Sequence, residues 1–381
     1  MVTSTEPPTI AVIGAGVIGL SAALKIQSLL SGASAQARVV LIAREWPTSI
    51  PGAPIAHSPD YASMWAGAHV RPIPAGDSPQ LQREARWLKQ TVAEFEELLR
   101  TEPSVGITRT PGIEFLDAPP PDYVKQTEAS FVEETGLAGY RKYAASELPE
   151  GVQLGYEYET YCVNSPLYCG NLLRKFIVQG GKTLQRDLKS EWEAFAAGGS
   201  NVKLVVNASG TGFGDWRSFP TRGQTVITNV LSATKTVTRQ NKDGTWSFII
   251  PRFFNGGTII GGTKEPGNWQ VEPRPSTREV LLAGGKGLAP YATSDSSPLN
   301  EKDLRVITDV VGRRPTREGG VRIELEEKQL TDANGQLRTG HVLHSYGAGG
   351  RGYEISWGVA NEVSEVVKDL LPLIVGTKAK L

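Results

Sequence analysis

The sequence predicts an α/β chain in which a Rossmann-like, dinucleotide-binding domain carries an inserted antiparallel-sheet α+β domain, and three observations support this. "TIAVIGAGVIGLSAALKIQSLL" followed by "ARVVLIAREW" reads as strand, glycine turn, helix and second strand, so the two strands should be parallel neighbours. After residue 200 the texture changes: "GQTVITNVL", "WSFIIPRFF" and "GTIIGGT" are short apolar strands between turns, the pattern of an antiparallel sheet. The tail, "HVLHSYGAGGRGYEISWGVANEVSEVVKDLL", returns to strand, glycine turn and amphipathic helix. Both ends of the chain therefore belong to one domain, with the sheet inserted between.

Each element has its own signal. Residues 9–13 form an uninterrupted apolar run, as expected of a strand buried on both faces. In "REARWLKQTVAEFEELLR" (83–100), Leu88, Val92, Phe95 and Leu99 recur at helical spacing and mark an amphipathic helix. Proline-dense "DAPPPDY" and "SELPEG" read as loops, and "NVKLVVNASGTG" as a buried strand entering a turn of small residues. In the last helix Val359, Val363, Val366, Val367 and Leu370 share the inward face. There are no heptads and no internal repeats.

Composition narrows the function classes. With 40 Lys+Arg against 40 Asp+Glu in 381 residues there is no basic excess to hold nucleic acid or to seek anionic lipid. The opening lacks the basic start and apolar run of a secretory signal, and no apolar stretch approaches the ~20 residues of a membrane span, so a soluble, non-secreted protein is expected. Two cysteines, Cys162 and Cys169, are too few for a disulfide framework and are expected to be reduced, packed side chains. No metal-ligand spacing is evident.

The chemistry starts at G-A-G-V-I-G. Gly14 permits the tight turn, Gly16 lets the backbone approach a pyrophosphate and Gly19 lets the helix pack on the sheet; Ala15, Val17 and Ile18 complete the turn and the helix N-terminus that would receive the phosphates. The second strand ends at Arg44 and Glu45, where the carboxylate would accept hydrogen bonds from an adenosine ribose. This fingerprint serves FAD and NAD alike. Two further glycine clusters, "NASGTG" (207–212) and "YGAGGRGY" (346–353), end strands of their own, and three such turns converging on one extended ligand favour FAD. The fold expected is thus an α/β FAD-binding Rossmann-like domain with an inserted antiparallel-sheet α+β substrate domain.

The order of motifs resembles the D-amino-acid and D-aspartate oxidase family along nearly the whole chain: "VIGAGVIGLSAAL", "LIARE", "ASMWAGAHVRP" (62–72), "VVNASGTG", "RGQTVI", "FIIPRF", "GGTKEPGNW", "VGRRPTREGG" and "HSYGAGGRGYEISWG". Only 75–160 matches loosely. The resemblance implies a FAD enzyme that oxidises a D-amino acid at its α-carbon, releases an imino acid that hydrolyses to a 2-oxo acid and ammonia, and reduces oxygen to hydrogen peroxide. It places Ser63, Gly67, Leu188, Ser209, Gly210, Gly349, Arg351, Gly352, Tyr353 and Glu354 at the cofactor or the cavity, in addition to the fingerprint residues. Arg314 matches the family's carboxylate clamp, a role suited to a planar guanidinium that donates two parallel hydrogen bonds. Gly350 would offer its backbone carbonyl to the substrate amine, and Arg313 should point the other way from Arg314 on an extended segment. The implied domains are 1–74, 160–215 and 312–381 for FAD binding, with 75–159 and 216–311 for substrate.

Two positions depart from the family pattern. A tyrosine that usually precedes "IIP" is Phe248 here, whose ring packs but cannot donate. After "GGT", where D-aspartate oxidases tend to carry an arginine, stands Lys264. Facing the cavity, Lys264 would pair with the side-chain carboxylate of an acidic substrate such as D-aspartate or D-glutamate, or with the α-carboxylate in compensation for Phe248; otherwise it reaches water. An oxidase of N-substituted glycines, and a flavoprotein with a decayed site, remain rival readings. The terminal Ala379-Lys380-Leu381 is a close variant of the address read by the peroxisomal import receptor, so a peroxisome is the expected location.

Overall fold

A computed structural model describes residues 6–33, 36–48, 57–199, 201–293, 305–331, 335 and 337–375; the Ala379-Lys380-Leu381 ending lies outside the described residues. The nucleotide half is a six-stranded sheet in the order Arg322–Thr331, Leu337–Tyr346, Val202–Asn207, Thr9–Ile13, Arg38–Ala43, Lys182–Gln185. Five of these strands run parallel and only the edge strand Arg322–Thr331 is antiparallel to its neighbour. The central strand Thr9–Ile13 is buried throughout, which is why its sequence is uniformly apolar. Helices Val17–Gly32 and Gly352–Asp369 pack together on one face, with Leu20, Ile26, Val359 and Val363 in a shared core.

The second sheet has ten strands, eight of them on its main path, Glu265–Pro266, Ser218–Thr228, Thr258–Gly261, Trp246–Pro251, Thr236–Gln240, Ile107–Leu116, Leu154–Val163 and Ala68–His69 in that order, with Val306–Arg317 and Arg141–Lys142 paired alongside. Its ladders are antiparallel, as expected, except that Thr236–Gln240 runs parallel to Ile107–Leu116. That junction joins two hairpin systems distant in sequence, so no local turn constrains its direction. Alternation divides the sheet cleanly. Val237, Ile249 and Ile260 face helix Pro275–Ala292, while Phe248, Thr238 and Glu114 share a transverse row on the opposite face.

The segments that match the family loosely are placed by packing rather than by chain order. Helix Pro79–Thr101, inside the 75–159 segment expected in the substrate domain, lies on helix Gly352–Asp369 of the nucleotide half. Gly358 makes this possible, since a Cβ there would stand 2.2 Å from Trp87 Cα. Strand Val306–Arg317 runs across the expected 311/312 boundary and belongs to the second sheet for its whole length. Cys162 and Cys169 are buried free thiols.

Candidate active site

A cavity of about 760 Å³ runs between the two sheets, within the ~300–1,000 Å³ typical of small-molecule sites. The glycine turn borders one end. Gly14 adopts φ of 100°, and a Cβ there would sit 2.4 Å from the Ala208 carbonyl oxygen, so the turn admits only glycine. Gly19 does not border the cavity; it acts behind the turn, where a Cβ would lie 2.0 Å from the Gly14 oxygen. Gly14, Ala15, Gly16, Val17 and Ile18 all line the cavity, and helix Val17–Gly32 starts there without an acidic residue in its first turn. Its positive end is therefore open to an anion.

The loop around residues 58–67 is stapled to this turn. Tyr61 donates from its hydroxyl to the Ala15 carbonyl at 2.6 Å, and Val17 N–H donates to Ser63 Oγ at 3.0 Å. Tyr353 donates to the Ser63 carbonyl at 2.7 Å. Glu45 accepts from Ser58 N–H at 2.8 Å and from Ser58 Oγ at 2.5 Å, and Arg44 donates to it at 3.1 Å. Partial burial pushes the Glu45 carboxyl up, but these bonds outweigh it and hold the group below its usual range. The other two glycine turns meet as expected: Gly347 N–H donates to Gly210 O at 2.8 Å, and Leu188, Ser209, Gly210, Gly349, Gly350, Gly352, Tyr353, Ser63, Gly67, Arg44 and Glu45 all border the same cavity. Ser209 Oγ is buried with no hydrogen-bond partner, a polar group left for a ligand.

These features fit FAD. The acid-free helix start, the ribose-end carboxylate and the unpartnered hydroxyl are the donor and acceptor set that a dinucleotide requires.

The far end is built around an unpaired cation. Arg314 is half-buried and borders the cavity, and among the described residues the only hydrogen bond of its guanidinium runs from Nη1 to the Thr263 carbonyl at 3.2 Å. Among the described residues no carboxylate pairs with it, and burial holds its guanidinium pKa below the usual value. Gly223 creates its seat: a Cβ there would approach Arg314 Nη1 to 2.4 Å. Gly350 is beside it, its Cβ position 3.4 Å from Arg314 Cδ. Arg313 points elsewhere, pairing with Asp60 at 2.6 Å and lying over Trp269 at 5.1 Å. Phe248 borders the cavity as expected.

Three expectations are corrected. Lys264 does not face the cavity: it is exposed, with its amine 6.0 Å from the Trp246 ring. Its neighbour Thr263 points inward, accepting from Gln224 N–H at 2.8 Å, and alternation sends the strongly hydrated ammonium outward. Arg351 and Glu354 are absent from the cavity wall as well. Arg351 turns back to pair with Glu354 at 2.9 Å and Glu84 at 2.7 Å, an internal network that satisfies buried charge. Tyr61, Trp65, Gly223 and Thr225 also line the cavity and were not assigned as site residues from the sequence, although Trp65 lies within "ASMWAGAHVRP" and Gly223 and Thr225 within "RGQTVI".

Residues 9–366 match the profile of the FAD-dependent oxidoreductase (DAO) family. The chain belongs to that family. It is 43% identical over 370 residues to a D-aspartate oxidase of Talaromyces thermophilus, covering 95% of each chain. It is 30% identical over 379 residues to a D-amino-acid oxidase of Fusarium vanettenii, covering 94% of this chain and 96% of the relative. Among solved structures, the glycine oxidase of Bacillus cereus superposes with a TM-score of 0.62 at 15% identity, covering 98% of this chain and all of that one, a likeness of fold. Family membership accounts for the FAD cofactor and for the two-sheet architecture.

Proposed function

We propose that this protein is a FAD-dependent oxidase of D-amino acids that prefers acidic side chains and yields a 2-oxo acid, ammonia and hydrogen peroxide. The observation that carries the reading is Arg314, a half-buried guanidinium at the cavity wall with no carboxylate of its own. An unpaired cation in that position is costly unless a ligand anion completes it. The α-carboxylate of an amino acid matches the guanidinium fork. FAD, held by the glycine turns, Glu45 and Ser209, supplies the two-electron acceptor that the side chains lack.

The protein's own part is positioning. Arg314 holds the carboxylate, and the backbone carbonyl of Gly350 beside it accepts a hydrogen bond from the substrate amine. Two fixed points leave the Cα–H bond and the side chain in distinct directions, so one enantiomer presents its hydrogen to the reaction. Phe248 and Trp65 make the wall apolar and favour the neutral amine, from which the Cα–H electrons leave most readily. The acidic preference is supported by the identity to a D-aspartate oxidase.

A peroxide-release assay on the purified flavoprotein tests the reading, with D-aspartate, D-glutamate, D-alanine, D-phenylalanine, sarcosine and the L-enantiomers side by side. The acidic D-amino acids should lead by tens-fold or more; sarcosine leading would move the enzyme to the N-substituted glycine class. We further propose a peroxisomal location on the Ala379-Lys380-Leu381 ending, which suits a peroxide-forming enzyme. A fluorescent fusion with a free C-terminus should be punctate, and deleting those three residues should disperse it.

A further inference from the structure

Behind the loop that carries Ser63 and Gly67 lies another guanidinium without a carboxylate. Arg252 is 4% exposed, its Nε is buried with no hydrogen-bond partner, and among the described residues no carboxylate pairs with it. Burial draws its pKa down to about 10. An isolated buried cation destabilises the fold, so what it touches is informative.

The backbone around Arg252 is strained. Arg252 follows strand Trp246–Pro251, and the next three residues, Phe253, Phe254 and Asn255, have φ of 53°, 49° and 57°, a left-handed conformation that residues other than glycine rarely adopt. Arg252 N–H donates to Gly257 O at 3.0 Å and Asn164 Nδ2 donates to Phe253 O at 3.2 Å, which closes the turn. A Cβ on Gly256 would stand 2.9 Å from Arg252 Cβ. Strain retained in this way fixes the direction in which the Arg252 side chain leaves the backbone.

The guanidinium meets two backbone carbonyls of the loop. Nη2 donates to Ala66 O at 3.0 Å and more weakly to Met64 O at 3.5 Å. Ser165 Oγ donates to the same Ala66 oxygen at 2.8 Å. Ala66 and Gly67 border the cavity whereas Arg252 and Ser165 do not, so the Ala66 carbonyl points away from it. The C=O and N–H of a trans peptide point in opposite directions, which turns the Gly67 N–H toward the cavity. Among the described residues that N–H has no protein acceptor. A Cβ on Gly67 would stand 3.0 Å from Ile259 Cγ2 and 3.4 Å from Ile250 Cδ1, and Ile250 shares its sheet face with Phe248 two residues before it. The N–H is therefore at the Phe248 end, where the flavin ring belongs because Glu45 at the other end takes the ribose.

We infer that Arg252 is a positioning residue for the flavin, whichever amino acid the enzyme oxidises: it holds the Ala66 peptide so that the Gly67 N–H donates to an acceptor atom of the ring, and its charge favours the reduced cofactor. The ring gains negative charge when it takes up an electron pair. A fixed N–H dipole backed by a cation in a dry interior stabilises that form more than the oxidised one.

The test measures the two-electron potential of bound flavin and its affinity for sulfite, which bleaches oxidised flavin and is favoured by the same positive surroundings. Holoenzyme, R252M, R252K and S165A are compared, with melting temperature alongside. R252M should lower the reduction equilibrium constant by about tenfold, or about 30 mV, and weaken sulfite binding by a similar factor. R252K keeps the charge and should recover most of both. S165A loosens the same carbonyl and should shift each by about threefold. A lower melting temperature in R252M with potential and sulfite affinity unchanged would show a role in folding alone and overturn the assignment, as would equal shifts in R252M and R252K. If R252M does not retain flavin, S165A decides: a shift in both readouts supports the assignment and wild-type values overturn it. Neither readout uses an amino acid, so the result is independent of which substrate the enzyme prefers.

Discussion

At the nucleotide end of the cavity the protein pairs its own polar groups: Val17 N–H with Ser63, Ala15 with Tyr61, Glu45 with Ser58 and Arg44, and Gly347 with Gly210. At the other end, among the described residues, the Arg314 guanidinium has one carbonyl and no carboxylate. The contrast separates two kinds of design. The first end is assembled mainly by backbone turns, with the Ser209 hydroxyl left for a ligand, and a local change there strains the fold. The second stores uncompensated charge, so a change there alters what binds more than whether the chain folds.

Arg314→Leu sharpens that comparison most. Removing the cation should lower kcat/KM for every amino acid by about a thousandfold or more while bound flavin is retained, read from steady-state kinetics beside the flavin spectrum. Retained activity would mean that the unpaired guanidinium is not the clamp.

The next effect is on stability and pH. Burial raises the Glu114 carboxyl from its ordinary 4.5 to about 7, against the opposing pull of Arg71. Buried Glu354 is displaced upward in the same way. The folded state therefore binds more protons than the unfolded chain between these values, so stability is greatest below about pH 4.5 for this group and falls as pH rises through 7. For Glu114 the change is roughly 3 kcal/mol. The melting temperature should decline from pH 5 to 8, and E114Q should flatten the decline; an unchanged slope in E114Q would show that the pair does not titrate as its burial implies. At lower pH, Asp215, held down to about 2 chiefly by Arg317 and the Arg217 backbone against burial, loses its contribution as pH falls from 3.8.

Gly19→Ala probes the opposite end. Its Cβ would meet the Gly14 carbonyl, and the shift required should cost about 1–3 kcal/mol, seen as weaker flavin retention and a lower melting temperature with substrate preference unchanged. Arg313→Ala is the mildest change. The Asp60 partner is largely exposed, so the pair should contribute less than about 1 kcal/mol and alter KM only a few-fold, although it adjoins the residue whose loss is most damaging.

The nucleotide end was legible in the sequence because its signals are local. G-A-G-V-I-G between a strand and a helix, the glycine clusters after two later strands and the valine stripe of the last helix are each read within a dozen residues, and each lies where that reading places it. Arg314 and Phe248 were legible through motif order. The loops 58–67 and the parallel junction of the second sheet were not, since packing between distant segments decides them.

What the amino-acid sequence determined alone is therefore the architecture and the cofactor, through turns that only glycine can make, and the position of the Arg314 guanidinium at the cavity. Tertiary structure decided the charges. It turned Lys264 out to water, folded Arg351 back onto Glu84 and Glu354, and brought Arg71 against Glu114 and Trp246 from segments 43 and more residues apart. Side-chain direction depends on strand register, and the cost of burying charge depends on which partners the fold assembles; neither can be read from spacing along the chain.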